Sequence, residues 1–185
     1  MLFCLLVIGT NLVLFAPFLS SQFVANFSKT ISLWFQNFEF NASIYYIVRW
    51  IGYKIVGWNI IAKAGKILPL VAISFIAIFS LARRNYYPKV LIESMLFAIT
   101  SYLFLSTTVH PWYLTIPLAL SCFTHFKYLW VWSLTVIFSY FAYSNPEFKE
   151  NLSLVALEYL IVIVFFVYEF FFSAFKNGLQ QTKKN

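Results

Sequence analysis

The stretch LSLVALEYLIVIVFFVYEFFFSAF at residues 152–175 contains two charged residues and is otherwise dominated by aliphatic and aromatic side chains. A helix needs about 20 apolar residues to cross the hydrocarbon core of a bilayer, and this stretch exceeds that length. Across the whole chain of 185 residues, 62% are hydrophobic and 10% are charged. An ordinary soluble domain has about 25% charged residues. A soluble fold of this size cannot hide so much apolar surface, which excludes the soluble class.

Further apolar runs lie upstream of this stretch and give five or six membrane crossings in all. They occupy residues 2–20, 67–82, 90–106, 113–126 and 128–143. The run at 113–126 is short and contains Pro117, which predicts a tilted or broken helix. The sequence therefore predicts an all-α, polytopic membrane protein with a single transmembrane domain over residues 1–185.

The segment 21–66 is predicted to be an extracytoplasmic loop that contains one amphipathic helix. Residues 43–56 place aliphatic side chains on one stripe at helical spacing and polar or aromatic side chains opposite, as in a helix that lies in the membrane interface. The stripe consists of Ile44, Ile47, Val48, Ile51 and Ile55, and the opposite face of Tyr46, Arg49 and Tyr53. Membrane anchoring is the favoured role of this helix, and contact with a ligand is the alternative.

Short basic loops orient the chain across the membrane. When the spans alternate, Arg83, Arg84, Lys89 and Lys127 fall on the same side as the tail 176–185, which adds three lysines. Because positive residues are enriched in cytoplasmic loops, this side is predicted to be cytoplasmic. The net charge of +7 comes from basic residues scattered between apolar runs. Anionic lipid head groups are therefore the expected partner, and nucleic acid is not.

The acidic and sulfur-containing residues exclude several classes of site. All six acidic residues are glutamate, so no mechanism can use an aspartate of this chain. Cys4 and Cys122 both lie in apolar runs. That placement argues against a disulfide framework and against a zinc site built from cysteine and histidine, and no metal site is predicted.

The most specific local feature is the turn TTVHPWY at residues 107–113. Pro111 disfavours the helical conformation at His110 and ends the preceding helix there. The turn therefore presents an imidazole, an indole and a phenol at the outer membrane surface. A phosphate or sugar bound by His110 is one interpretation, and an ordinary belt of interfacial aromatic residues is the other.

This turn, within STTVHPWYLTIP (residues 106–117), and the upstream segment FEFNASIYY (residues 38–46) resemble the carboxy-terminal half of bacterial membrane mannosyltransferase-like proteins of the GT-C superfamily. The resemblance extends from about Trp34 to Phe175. It implies a multi-pass enzyme of the bacterial inner membrane that moves a sugar from a polyprenyl-phosphate carrier to a glycan or lipid acceptor. Transfer in this family takes place on the extracytoplasmic side, where the turn is expected to lie.

The chain departs from the family pattern in its acidic residues. The catalytic acid of the family is usually an aspartate or glutamate in the first extracytoplasmic loop near the amino terminus, and family members are commonly much longer. Here Glu39 is the only carboxylate in the long outer loop. We therefore expect this chain to be the non-catalytic carboxy-terminal part of such an enzyme. For Glu39 an interfacial role is favoured over that of catalytic base.

A transferase of this kind stabilises the leaving lipid phosphate as its charge develops. Arg49 is expected to contact the phosphate with two hydrogen bonds and His110 with one, and Trp112 and Tyr113 complete the predicted donor site. Glu158 lies inside the last apolar run on the same side as His110, which makes it a further candidate. No cofactor is evident besides the lipid-phosphate sugar donor, and a requirement for a divalent metal is left open.

Two non-enzymatic functions remain as alternatives. One is part of a transporter or flippase for lipid or polysaccharide, and the other is a purely structural membrane subunit. A transporter typically has a polar pathway near the middle of the bilayer or interrupted helices in matched halves. The centres of the predicted spans are nearly all apolar and polar groups collect at the outer surface, which favours chemistry on a lipid carrier.

Overall fold

The computed structural model describes residues 2–182, except for the side chains of residues 34–36 and 172–182. The chain is 78% helical, and the described residues form no strand, which confirms the all-α prediction. Three helices are long and apolar enough to cross a membrane, or up to four if a bent pair near the amino terminus is one span. The predicted number of five to six spans is not confirmed.

Eight α-helices follow one another along residues 2–182. They are α1 (Leu2–Phe15), α2 (Ser21–Asn37), α3 (Ile44–Val56), α4 (Ile61–Leu81), α5 (Pro88–Leu105), α6 (Thr115–Ser121), α7 (Tyr128–Thr135) and α8 (Leu152–Thr182). Short 3₁₀ helices occupy Ala16–Phe18, Pro111–Leu114 and Val136–Ser144. The three helices of spanning length are α4, α5 and the Leu152–Phe171 part of α8. They coincide with three of the predicted runs, although α4 begins at Ile61 rather than at residue 67.

The first predicted run is not a straight helix. A 3₁₀ turn that contains Pro17 follows α1, and the segments Leu2–Phe18 and Ser21–Leu33 make an angle of 111° with each other. The 14 residues of α1 rise only about 21 Å, which is less than the roughly 30 Å of a hydrocarbon core. The side chain of Ser20 then accepts a hydrogen bond from the Phe23 N–H and begins α2. The segment predicted as a loop therefore contains a second helix, and α2 packs against α4.

The runs at 113–126 and 128–143 also lack a helix of spanning length. The first forms a 3₁₀ turn and the short α6, as the presence of Pro117 within it predicts. The second begins as α7 and continues as a 3₁₀ helix to Ser144. The main buried core lies among α5, α7 and α8. Its fully buried apolar side chains include Leu96, Leu129, Trp132 and Val162.

Two glutamates in the long helices α5 and α8 have structural roles at the end of the molecule that is predicted to be cytoplasmic. Glu93 on α5 pairs with Arg83 at 3.0 Å and lies 3.7 Å from the imidazole of His125. The carboxylate of Glu169 on α8 accepts hydrogen bonds of 2.7 to 2.8 Å from the backbone N–H groups of Lys127 and Tyr128. Because the first N–H groups of a helix have no partner within it, Glu169 caps the amino end of α7.

Candidate functional site

The two stretches that carry the resemblance lie side by side. The Phe40 N–H donates to the Thr107 carbonyl at 3.0 Å, and the Val109 N–H donates to the Phe40 carbonyl at 2.8 Å. This pair forms an isolated parallel bridge. A further bond of 2.8 Å runs from the Ser43 hydroxyl to the Phe104 carbonyl. Residues 38–43, which lead into α3, are thereby held against the end of α5 and the turn that follows it.

Glu39 and Arg49, two of the predicted site residues, form an ion pair. The second carboxylate oxygen of Glu39 accepts a hydrogen bond from the hydroxyl of Tyr45, and Oδ1 of Asn59 lies 3.0 Å from the same hydroxyl. Tyr45 and Arg49 lie four residues apart and therefore project from the same face of α3. Burial and the hydrogen bond to Glu39 raise the pKa of the Tyr45 phenol, so it remains a donor at neutral pH.

Arg49 lies in the wall of a groove of about 780 Å³ between α3 and α8, which we call the α3–α8 groove. Most of its wall is apolar, with Ile47, Trp50, Val155, Ala156, Leu160 and Ile163 among the lining residues. The guanidinium group also lies over the ring of Tyr46, 4.3 Å from its centroid. The groove thus has a mostly apolar wall that includes the Arg49 guanidinium group, and this group is paired with the Glu39 carboxylate.

Most residues of the aliphatic stripe of α3 are exposed. Ile47 and Ile55 are 61% and 76% exposed, whereas Tyr45 and Gly52 on the other side are buried. A helix that shows apolar side chains to its surroundings and polar side chains to the protein is suited to the surface of a membrane. The predicted division of faces is followed only in part, because Tyr53 of the predicted polar face is 52% exposed and Val48 of the stripe is partly buried.

His110 is packed among aromatic rings. Its imidazole stacks on Trp112, with 4.4 Å between ring centroids and 7° between planes, and on Phe40 at 5.0 Å. Tyr113 meets it edge to face at 5.4 Å. The residue is only 8% exposed, and burial lowers its pKa below the usual value of 6.5. The imidazole is therefore neutral at pH 7 and offers a hydrogen bond rather than a charge.

The structure brings the predicted site residues together in two groups. Glu39 and Arg49 form the first group, and His110, Trp112 and Tyr113 form the second. The extended residues 38–40 connect them. Phe38 and Phe40 both contact His110, whereas Glu39 between them contacts Arg49. Successive side chains of an extended segment point to opposite sides, so the two groups lie on opposite faces of this segment.

Glu158 belongs to a third group, which centres on Asn41. Its carboxylate accepts hydrogen bonds from the Asn41 side-chain amide at 3.2 Å and from the Trp132 indole at 2.9 Å. The Asn41 carbonyl accepts a bond of 2.6 Å from Tyr159, and its backbone N–H donates to Glu150 at 2.6 Å. Asn41 and Glu158 are fully buried. Their bonds attach the segment before α3 to α7 and α8.

Glu150 links the Asn41 group to Arg49 through Tyr46. Its carboxylate accepts hydrogen bonds from the Tyr46 hydroxyl and the Asn41 N–H. The Arg49 guanidinium group in turn lies over the ring of Tyr46. Burial raises the pKa of the Glu150 carboxyl, although these two hydrogen bonds oppose the shift. A carboxyl with a raised pKa is better suited to proton exchange near neutral pH than an ordinary glutamate.

Three polar residues of these groups were not predicted from the sequence as site residues: Asn41, Asn59 and Glu150. Asn41 adopts φ 45°, a conformation in which asparagine is enriched among non-glycine residues, and this was a usable signal. Glu150 lies just before α8 and is 109 residues from its partner Asn41. No local pattern predicts a contact over that separation.

Within residues 2–182, no group of three or more histidine, cysteine or acidic side chains is placed to hold a metal ion. Comparison with models of known protein families, with curated proteins and with solved structures found no match for this chain. The resemblance to GT-C proteins therefore remains a prediction.

Proposed function

We propose that this chain forms the donor-binding part of a membrane glycosyltransferase. In this proposal the enzyme moves a sugar from a polyprenyl phosphate to a glycan or lipid acceptor on the extracytoplasmic side. The observation that carries the proposal is the position of Arg49 in the wall of the apolar α3–α8 groove. A polyprenyl phosphate joins a long hydrocarbon chain to an anion, and the groove pairs an apolar surface with a guanidinium group.

The ion pair with Glu39 suits a site that binds and releases an anion. Arg49 and Glu39 have side chains that are 18% and 26% exposed, so the guanidinium group is partly accessible. An incoming phosphate gains a planar donor that can bind two of its oxygens. Glu39 keeps this donor in place when no phosphate is bound, because it holds Arg49 against Tyr46.

The resemblance to the family also favours His110, Trp112 and Tyr113 as donor-binding residues. The neutral, stacked imidazole is suited to a single hydrogen bond to a phosphate or sugar oxygen, and not to neutralising charge. In this proposal Arg49 neutralises the charge of the phosphate, and His110 positions the donor through a hydrogen bond.

Donor binding to the purified chain tests the proposal. Native mass spectrometry in detergent would compare a polyprenyl phosphate with the corresponding polyprenol. We expect the phosphate to bind more tightly and Arg49→Gln to weaken it by roughly 10- to 100-fold, because a hydrogen bond to a charged group contributes about 1.5–3 kcal/mol. Equal binding of the phosphate and the alcohol would contradict the proposal.

Lys54→Gln is the matched control, since Lys54 lies on the same helix and is exposed. It removes the same charge without touching the wall of the groove, and we expect a small change in binding. The double variant Arg49→Gln/Glu39→Gln separates loss of the phosphate contact from the effect of an unpaired Glu39. If the double variant binds as well as the natural chain, Arg49 is not the phosphate ligand.

The extracytoplasmic position of the site is part of the proposal and has its own test. Cys4 and Cys122 are exposed and would first be replaced by serine. Trp58→Cys and Trp112→Cys should then react with a membrane-impermeant thiol reagent in intact spheroplasts, because both positions are more than half exposed. Tyr86→Cys, in the basic loop between α4 and α5, should react only after lysis. The reverse pattern would overturn the orientation.

A flippase remains the second candidate because Glu158 is buried within a membrane-spanning part of α8. Proteoliposomes that contain a fluorescent polyprenyl phosphate distinguish the two functions. We expect donor binding with no protein-dependent movement of the lipid between leaflets. Movement that is lost in Glu158→Gln would favour transport.

A further inference from the structure

Glu158 is a buried acidic residue that the proposed donor site does not use. It lies in the Leu152–Phe171 part of α8, which is long and apolar enough to cross a membrane, and it is 0% exposed. The Asn41 amide and the Trp132 indole both donate to the same carboxyl oxygen, Oε1, at 3.2 and 2.9 Å. The other oxygen, Oε2, is buried and has no hydrogen-bond partner among the described residues. The carboxyl group is therefore hydrogen-bonded through one oxygen only.

Four other glutamates have contacts at both carboxyl oxygens. They are Glu39, Glu93, Glu150 and Glu169. Glu39 and Glu93 are also paired with arginine. Glu158 has no cationic partner within the described residues, and its environment is the most buried of the five. Burial of an unpaired charge is far more costly than burial of a neutral polar group, above all inside a membrane-spanning helix.

The groups around Glu158 do not supply a positive charge to it. The neighbouring helix α7 contributes the Trp132 indole, and α5 contributes the ring of Phe104, which packs against Trp132 and Tyr159. The titratable and charged groups bonded around Asn41 are Tyr46, Arg49, Glu150 and Tyr159. Of these only Arg49 is a cation, and it is paired with Glu39. Glu150 is a second acid, which disfavours a negative charge on Glu158.

We propose that Glu158 is a neutral carboxylic acid in the folded chain, with its proton on Oε2. A carboxylic acid has a carbonyl oxygen that can accept two hydrogen bonds and a hydroxyl that donates one. The two donors that converge on Oε1 and the unpaired Oε2 follow this distribution. Oδ1 of Asn41 is likewise buried without a partner, so the Asn41–Glu158 pair has two acceptors left over and lacks a donor, which the proton supplies.

This assignment makes Glu158 a proton-binding site that stabilises the attachment of residues 38–43 to α8. Infrared spectroscopy of the purified chain in detergent tests it directly, because a protonated carboxyl and a carboxylate absorb at different frequencies. At pH 6 the natural chain should show a protonated-carboxyl band that is absent from Glu158→Gln. Glu147→Gln removes an exposed carboxyl and is the matched control, in which the band should persist. Loss of carboxylate absorption in Glu158→Gln would overturn the proposal.

The pH dependence of unfolding is the second measurement. An ordinary glutamate ionises near pH 4.3. Above this pH the unfolded chain releases the proton while folded Glu158 keeps it. The folding equilibrium constant of the natural chain should therefore fall relative to that of Glu158→Gln as the pH rises, by at most about tenfold for each pH unit. Glu147→Gln should follow the profile of the natural chain. Parallel profiles for the natural chain and Glu158→Gln would contradict a bound proton.

Two further substitutions separate the proton from the packing of the side chain. Glu158→Gln keeps a carbonyl acceptor and a donor without charge, so at pH 6 it should unfold at nearly the same denaturant concentration as the natural chain. Glu158→Leu leaves the donors of Asn41 and Trp132 unpaired and should unfold at a lower concentration. If Glu158→Gln does not fold, Glu150→Gln decides, because the infrared band must persist in it and its absence would overturn the proposal. Neither measurement uses a phosphate or depends on glycosyl transfer.

Discussion

The amino-terminal helix α1 and the core of α5, α7 and α8 are similarly apolar but pack very differently. None of the residues of α1 is buried, and Phe3 and Leu6 are 77% and 60% exposed. In the core, by contrast, Leu96 and Trp132 are 0% exposed. Apolar composition therefore does not determine which helices pack against each other.

Polar side chains account for the difference. In the core, the Trp132 indole donates to Glu158, and the hydroxyls of Thr100 and Tyr128 lie 2.6 Å apart. In α1, the side chain of Asn11 bonds only to the Val7 carbonyl of its own helix. Lipid solvates an apolar helix as well as another helix does, so close packing and hydrogen bonds between helices fix their arrangement. α1 offers few groups of this kind.

Truncation of a leucine in each region should give the largest contrast. Leu96→Ala leaves a cavity in the core and should lower the free energy of unfolding in detergent by about 2–5 kcal/mol. Leu6→Ala on the exposed surface of α1 should change it by less than about 0.5 kcal/mol. Denaturant titration of the tryptophan fluorescence would measure both. Similar losses would mean that α1 is packed in the native protein.

Removal of an asparagine amide in each region should have the next largest effect. Asn41→Ala breaks the bond to Glu158 and places alanine at a positive φ, so we expect a loss of about 1–3 kcal/mol. Asn11→Ala removes a bond that is exposed and local, and should cost almost nothing. Asn41→Gly tolerates the positive φ and isolates the loss of the amide. If Asn11→Ala proves as costly as Asn41→Ala, long-range polar contacts do not explain the difference between the regions.

The smallest expected effect is a pH dependence that comes from His110. Burial lowers the pKa of this imidazole in the folded chain, so the unfolded chain binds a proton first as the pH falls below about 6.5. The stabilising contribution is present above that pH and is lost as the pH falls towards the folded pKa, by at most about 1.4 kcal/mol per pH unit. The stability difference between the natural chain and His110→Gln should therefore shrink between pH 7 and pH 5. A constant difference would show that His110 is already solvated.

The sequence was sufficient for the parts of the fold that depend on local pattern. The long apolar runs predict α4, α5 and the apolar part of α8, and the aliphatic stripe predicts α3, because both patterns are set by residues within a few turns. The runs at 113–126 and 128–143 have the composition of membrane spans. Their helices are nevertheless short, because α6 ends at Ser121 and α7 changes to 3₁₀ geometry after Thr135.

The site was less predictable because it depends on contacts between distant residues. Arg49 and Glu39 were both identified as candidates, yet their pairing depends on how residues 38–43 are held. The bond from Asn41 to Glu158 spans 117 residues. A single sequence has no periodicity that indicates such a contact, so the polar group around Asn41 could be identified only from the structure.

The cap that Glu169 provides for α7 has a consequence for the order of events during synthesis. Its carboxylate bonds to the Lys127 backbone, which is 42 residues earlier in the chain. While the ribosome is still making the intervening residues, the amino end of α7 has no such cap. Short helices are marginal by themselves. The amino end of α7 can therefore be capped only after Glu169 on α8 has been synthesised, and these two helices complete their folding together.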